Sequence, residues 1–443
     1  MRRMLLAGTF VLALGAGTPS FASDPVDTPP TPSLSADEAR RLVADHEDDW
    51  LALDGMTSLS ADAAAALAAY EGDCLSLDGL ESLDADTALA LAGFKGCLSL
   101  SGLDRLDLAT ATALASSTGS LTLDGLATID APTARTLAAF RGEHLSLGGL
   151  QALPADVARI FKAFRGGGLS LQGLKHLDPV TVELLAESPA WTGWLPAVTV
   201  LTAETARTLA AVKRTSLDLY GLTSLSADAA TGLAEFSGGL RLDGLRTLDG
   251  DTARRLAGFA AESLSLGGLT TLDADAAEAL AGHEGHTRRL DALTQLDPDT
   301  ARALARFRGS LYLDGLPTLT ADAARHIAAY RGRCLHMDGL STIDPDAATT
   351  LAANKRWTGS LPRLTAFADR DAVAVAAALA TREGRLALPN LEKISPRTLT
   401  ALIAKRDVGI PPIEKLELIP EPDGSAMDDF VIPEDFVERP RTR

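Results

Sequence analysis

The sequence predicts an α/β repeat solenoid: a curved parallel β-sheet built from one short strand per repeat, with short helices on its convex side. Three observations predict it. The phrase Leu-x-Leu-x-Gly-Leu-x-x-Leu, followed after a gap by Ala-x-x-Leu-Ala, starts at Leu51, Leu75, Leu98, Leu121, Leu145 and Leu169. It returns at Leu217, Leu240, Leu264, Leu311, Leu335 and Leu386. Neighbouring starts stand 23 or 24 residues apart, and a period of about 20 to 50 residues marks a stacked array. Inside each copy the apolar pattern changes from period two, the mark of a strand, to i, i+3, i+4, the mark of a helix. Weaker copies at Gly193, Arg288, Gly359 and Val408 keep the period nearly unbroken.

The N-terminal 22 residues read as an export signal. Arg2 and Arg3 precede an apolar run from Met4 to Ala16, and Ser20-Phe21-Ala22 supplies a small-x-small cleavage site. That run is too short to span a membrane. Residues 23–33 are Pro- and Thr-rich and read as a flexible leader. Residues 34–50 hold the helical half of a unit, a cap for the open end of the array, and Ser35-Ala-Asp-Glu38 has capping-box spacing. The array itself runs over 51–407, about fifteen repeats. A C-terminal half-repeat with Ile410, Ile413 and Leu416 then leads into an acidic tail over 408–443. Two apolar clusters in that tail, Asp429-Phe430-Val431 and Asp435-Phe436-Val437, read either as a cover for the last repeat or as a docking peptide.

One repeat shows how the pattern works. Leu75 and Leu77 alternate with Ser76 and Asp78, giving a strand with one buried face. Gly79 is expected to let the backbone turn sharply out of the strand. Leu80 and Leu83 anchor the connection, and Asp84 is placed to cap the next helix. Asp178-Pro179, Asp297-Pro298, Asp344-Pro345 and Ser395-Pro396 repeat this device, with proline in the first turn. Ala88, Leu91 and Ala92 form the inward stripe of the helix. Parallel strands stack about 4.8 Å apart, whereas packed helix axes prefer roughly 8–10 Å. Small residues let the helices approach, and the remaining mismatch bends the array.

With these leucine positions filled from about Leu34 to Leu416, the chain resembles the leucine-rich-repeat family, in an Ala-rich form met in exported bacterial proteins. The resemblance implies a solenoid and, as a rule, protein binding, but no common ligand. It departs from the family's commonest members in lacking an asparagine ladder; Gly79 and its equivalents stand near that place.

Three cysteines, Cys74, Cys97 and Cys334, share one register just before a strand start. Stacking puts the backbones of Cys74 and Cys97 about 5 Å apart. Either a disulfide or two small buried thiols would fit there, and Cys334 is left without a partner.

The repeat breaks its own rule twice. Trp-Thr-Gly-x-Leu-Pro-x-x-Thr occurs at Trp191–Thr199 and again at Trp357–Thr365, 166 residues or seven periods apart, which suggests a duplicated block. Glycine replaces the first strand leucine in both, and Pro196 or Pro362 is expected inside the strand, where it cannot donate to the ladder. A kink or sheet irregularity held by the tryptophans is the plain reading.

Outward strand positions are bland in the first six repeats: Ala52, Ser76, Ser99, Thr122, Ser146 and Ser170, with Asp54, Asp78 and Asp124 beside them. Their character changes from the seventh. Trp194, Asp218, Arg241, Arg289, Tyr312 and His336 fill the first outward column, and Tyr220, Asp243, Asp291, Asp314 and Asp338 the second. Aromatic and arginine side chains are enriched at binding hot spots, so the concave face of repeats 7–13 is the candidate ligand surface. A solvated sheet face of accidental variety is the alternative.

A formal charge of -18 speaks against nucleic acid and anionic membranes. Asp291, Asp314 and Asp338 offer too few oxygens for calcium. His283-Glu-Gly-His286 lacks the histidine spacing of a zinc-protease helix, and there is no nucleophile elbow, phosphate loop or dinucleotide fingerprint. No metal, cofactor, catalytic residue or membrane insertion is therefore expected. The functional expectation is a non-catalytic exported protein, periplasmic or extracellular and soluble after signal cleavage, that binds a protein partner or serves as a scaffold. A monomer is compatible with that. A structural envelope spacer or a carbohydrate-binding array is the alternative.

Overall fold

Each copy of the phrase folds as its period dictates. The computed structural model describes residues 33–421 and 424, apart from 214, 260–262 and 283–286. The signal sequence, all of the leader but Ser33, the His283–His286 segment and the clusters around Phe430 and Phe436 lie outside the described residues. Six parallel strands, from Trp50–Ala52 to Leu169–Ser170, pair in chain order; six more, from Ser216–Asp218 to Leu335–His336, form a second sheet in the same way. The register aligns like residue with like: Leu51 opposes Leu75, Leu75 opposes Leu98, and Leu98 opposes Leu121. Those leucines are at most 3% exposed. A one-residue slip would turn each leucine column to solvent, so burial fixes the register.

The helices are short, mostly seven or eight residues as in Ala85–Leu91 and Pro179–Ala186, and would not be stable alone. Caps and packing hold them. Asp84 accepts from the Thr87 backbone N–H at 2.8 Å, and Asp178, Asp297, Asp344 and Ser395 cap in the same way ahead of a first-turn proline. Ser35 and Glu38 close the expected capping box at helix Ala36–Asp45. Ala88 and Leu91 are fully buried, and each helix packs on the next. Three residues after these helices end, a second buried column adds to the same core: Tyr70, Phe94, Phe140, Phe164, Phe236, Phe259, Phe307 and Tyr330. Tyr70 stacks on Phe94 at 6.1 Å and Phe140 on Phe164 at 6.4 Å.

Two expectations are corrected. Gly79 does not sit in the left-handed region; it is glycine because a Cβ there would run into the carbonyls of Asp54 and Met56, one repeat earlier. Close stacking of backbones, rather than a special dihedral, excludes a side chain. Pro196 lies beyond its strand, in the two-residue turn where Asp78-Gly79 lies in its own repeat, and Pro362 does the same. No strand hydrogen bond is lost to either.

The two Trp-Thr-Gly phrases are the ends of the sheets. Trp191 pairs with Leu169 but Trp194 pairs with Asp218, and likewise Leu335 pairs with Trp357 but Ser360 with Ala387. Two residues intervene between the paired positions, and Gly193 and Gly359 absorb them with φ of 74° and 77°. The bulged ladder is the sheet irregularity that the sequence suggested. Trp191 and Trp357 are each 1% exposed. Each follows by three residues a position, Ser188 or Asn354, where other repeats place a phenylalanine or tyrosine ring. The indole supplies the apolar volume that the missing ring would have filled.

At the C-terminal end, Glu421 is only 5% exposed. Its carboxylate accepts from Ser395 Oγ and from the Arg397 backbone N–H, both at 2.9 Å, a favourable place for an anion at the start of helix Pro396–Ile403. Among the described residues no helix is long and apolar enough to cross a membrane.

Candidate binding face

The residue between two strand leucines, and the one after the second leucine, project from the open face of the sheet. In the regular repeats these positions are joined by a carboxylate ladder. Asp54 Oδ1 accepts from Ser76 Oγ at 2.5 Å and from the Asp78 backbone N–H at 3.0 Å. Asp78 does the same for Ser99 and Ser101, both at 2.6 Å. Asp124 serves Ser146 and Gly148 at 2.6 Å and takes a third bond from Gln172 Nε2 at 3.1 Å. Asp243 holds Ser265 and Gly267 at 2.5 and 2.6 Å. Each aspartate thereby satisfies a strand-end N–H of the next repeat that would otherwise lack an acceptor.

The eleven residues singled out in the sequence all stand on this face, in two clusters rather than one strip. In the first, Trp194 Nε1 donates to the Tyr220 hydroxyl with the rings tilted at 6.4 Å, and Arg241 Nε lies 3.5 Å from Asp218 Oδ1. In the second, Arg289 Nε donates to Asp291 Oδ2 at 2.8 Å, and its guanidinium lies 5.1 Å from the Tyr312 ring centroid. Tyr312 in turn stacks on His336 at 4.1 Å, with the planes 7° apart. Asp314 accepts from the Asp338 backbone N–H at 2.9 Å. The strand Ser263–Ser265, with Ser265 and Gly267 outward, separates the clusters. Asp243 therefore belongs to the ladder more than to either cluster. Cys74 and Cys97 are free thiols directly opposite each other in neighbouring strands, and Cys334 is exposed.

Leucine on leucine, strand on strand and carboxylate on N–H, the same unit repeats through the array. The chain is a solenoid of leucine-rich strand–helix repeats. No family model matches the sequence, and no curated protein is similar to it at a significant level. Similar solved structures include that of the mouse RP105/MD-1 complex, at 16% identity and TM-score 0.46, covering 86% of this chain and 77% of that one. The TLR13–ssRNA13 complex is similar at 19% identity and TM-score 0.41, covering 69% of this chain and 51% of that one. An internalin, inlF, from Listeria monocytogenes is similar at 12% identity and TM-score 0.35, covering 84% and 93%. The chain thus spans about half the length of the TLR13 chain.

Burial and neighbouring charge act on the carboxylates of the second six-stranded sheet. Burial pushes the Asp218 carboxyl above its ordinary range, and Asp243 adds to this while Arg241 opposes it. Asp338 is raised by burial and then by the charge of Asp314. Its Oδ1 has no hydrogen-bond partner among the described residues, for a definite reason: the next repeat places Pro362 where the ladder needs an N–H. Asp291 Oδ1 is likewise buried without a partner. For Arg289, burial works against the charge, but the hydrogen bond and charge of Asp291 prevail and raise it.

The ladder on this face, and the burial of Arg288 on the opposite, core side of the sheet, were not foreseen. Arg288 takes a leucine's place in its strand, opposite Leu264 and Leu311, and is 2% exposed. Burial lowers its guanidinium to about 10, and it lies 5.3 Å from the Phe307 ring centroid. Its sequence signal was visible, a basic residue in a leucine column; the aspartate signal was the recurrence of Asp two residues before Leu in so many copies.

Proposed function

We propose that this solenoid is a non-catalytic binding protein that holds a protein partner on the open face of its second sheet. The observation that carries the reading is the contrast between the two sheets. On the first, outward groups are small, and Ser76, Ser99 and Ser146 are engaged by the ladder. On the second, aromatic and guanidinium groups are already held in place, Trp194 by Tyr220 and Tyr312 between Arg289 and His336. Preordered aromatic and arginine side chains lose little entropy on binding and bury much area.

The test is site-specific photo-crosslinking in the native host. A crosslinker at Tyr220, Arg241 or Tyr312 should capture one protein partner, whereas one at Thr122 or Ser146 should not. The triple variant Tyr220→Ala, Arg241→Ala, Tyr312→Ala should lose at least tenfold in affinity for that partner, at about 1.4 kcal/mol per factor of ten. Equal capture from both sheets, or unchanged affinity in the triple variant, would sink the assignment. The setting we infer is outside the cytoplasm, after cleavage behind Ala22, on the strength of Arg2, Arg3 and the apolar run that follows. Recovery of the working protein with Arg2 and Arg3 still attached would overturn that part.

A further inference from the structure

Cys74 and Cys97 stand in register on adjacent parallel strands, Cys74 opposite Cys97 and Trp50 opposite Cys74. In-register neighbours in a parallel sheet lie about 4.8 Å apart and send their side chains to the same face. That separation falls in the range of about 4.4–6.8 Å that a disulfide accepts between Cα atoms. Both thiols are half-buried, so they are screened from bulky reagents yet open to a small one. Their place in the array is also special. Among the described residues Trp50–Ala52 is the first strand of its sheet, with no strand before it, and Trp50 is 63% exposed. Terminal repeats have one neighbour instead of two and fray first.

We propose that Cys74 and Cys97 are an oxidation site, a dithiol that closes to a cross-strand disulfide and ties the second strand of the sheet to the third, one repeat in from its open end. The oxidant is a small-molecule or protein disulfide, and the reaction is thiol–disulfide exchange. The Cys74 thiolate attacks one sulfur of the donor, the donor's S–S bond breaks, and the first donor thiol leaves. Cys97 then gives up its proton and displaces the second donor thiol from Cys74. Two electrons pass to the donor, and the two thiol protons end on the two released thiols. Cys74 is the entry point because burial first, and then the charge and hydrogen bond of Cys74, push the Cys97 thiol up to about 12. Cys334 is an internal control. It is exposed and precedes a strand of the other sheet, with Ser310 at the equivalent place on the neighbouring strand.

Purified protein is incubated with oxidised glutathione, its remaining thiols are alkylated, and it is digested without reduction. The expected product is a peptide pair joined through Cys74 and Cys97, with Cys334 alkylated or carrying glutathione. Amide exchange over residues 50–99 should slow on the order of a hundredfold on oxidation, because the bond removes unfolded-state freedom from the closed loop. The double variant Cys74→Ser, Cys97→Ser keeps the fold, since Ser120 and Ser216 fill the same column in other repeats, and its exchange should not respond to the donor. Recovery of both cysteines alkylated, or each as its own glutathione adduct, would overturn the site. Unchanged exchange after the bond forms would overturn its role as a tie.

Discussion

A single aspartate type does two jobs in this chain. The Asp of each Asp-Gly pair begins the turn after a strand, and its carboxylate also accepts from the next repeat. Asp124 is the fullest case, with bonds from Ser146, Gly148 and Gln172. Asp124→Ala would leave the Gly148 N–H and the Ser146 hydroxyl without their acceptor, at a cost of about 1–3 kcal/mol. Asp124→Asn keeps an acceptor oxygen in place and should cost clearly less. Urea midpoints of the two variants check this; equal losses would show that the retained acceptor oxygen contributes nothing. The leucines were legible in the sequence because burial is read from period alone. The ladder was not, because its donor and acceptor stand 21 to 24 residues apart and meet only once the repeats are stacked. Asp338 makes the same point in reverse: its orphaned oxygen is explained by Pro362, one repeat away, and by nothing adjacent in the chain.

At the scale of the strand and turn, glycine has two separate reasons to be present. The glycine of the repeating phrase is there because backbones of successive repeats nearly touch. Gly359 is there because the bulge needs φ of 77° and because a Cβ would also meet the Arg382 guanidinium and the Arg385 carbonyl. Gly384 separates the two contributions, with φ of 87° and no atom within 4 Å of the Cβ position. Gly384→Ala should therefore cost only the left-handed penalty, about 1–2 kcal/mol. Gly359→Ala should cost more, because Arg382 must move while it donates to the Trp357 carbonyl at 2.6 Å. Thermal midpoints rank the two; a smaller loss at Gly359 would contradict the packing account. Helix starts, by contrast, were readable in advance, since the Ser, Thr or Asp and the proline that define a cap lie within four residues of one another. The turn after the strand was anticipated, but the reason for its glycine was not, since that is set by the layer beneath.

Over the whole molecule, the two six-stranded sheets meet at a seam whose strand pairing shrinks to single bridges, Leu169 with Trp191 and Trp194 with Asp218. Continuity there falls to the packing of helix Pro179–Ala186 on helix Ala203–Ala210 and to the buried Trp191. In a one-dimensional array, stability is the sum of unit terms and nearest-neighbour terms, and cooperativity holds only while each neighbour term is large. Replacing a buried tryptophan by alanine typically removes about 3–5 kcal/mol, and here most of that loss falls on one neighbour term. Trp191→Ala should therefore split denaturant unfolding into two transitions, one for the repeats up to Ser188 and one for those from Ala203 onward. Hydrogen exchange at intermediate urea, read peptide by peptide, resolves them. Phe140→Ala, a comparable loss inside the first sheet, should lower the midpoint of that block without decoupling the second. If both variants unfold through one shared transition, the seam is not a boundary, and the two sheets act as a single cooperative body.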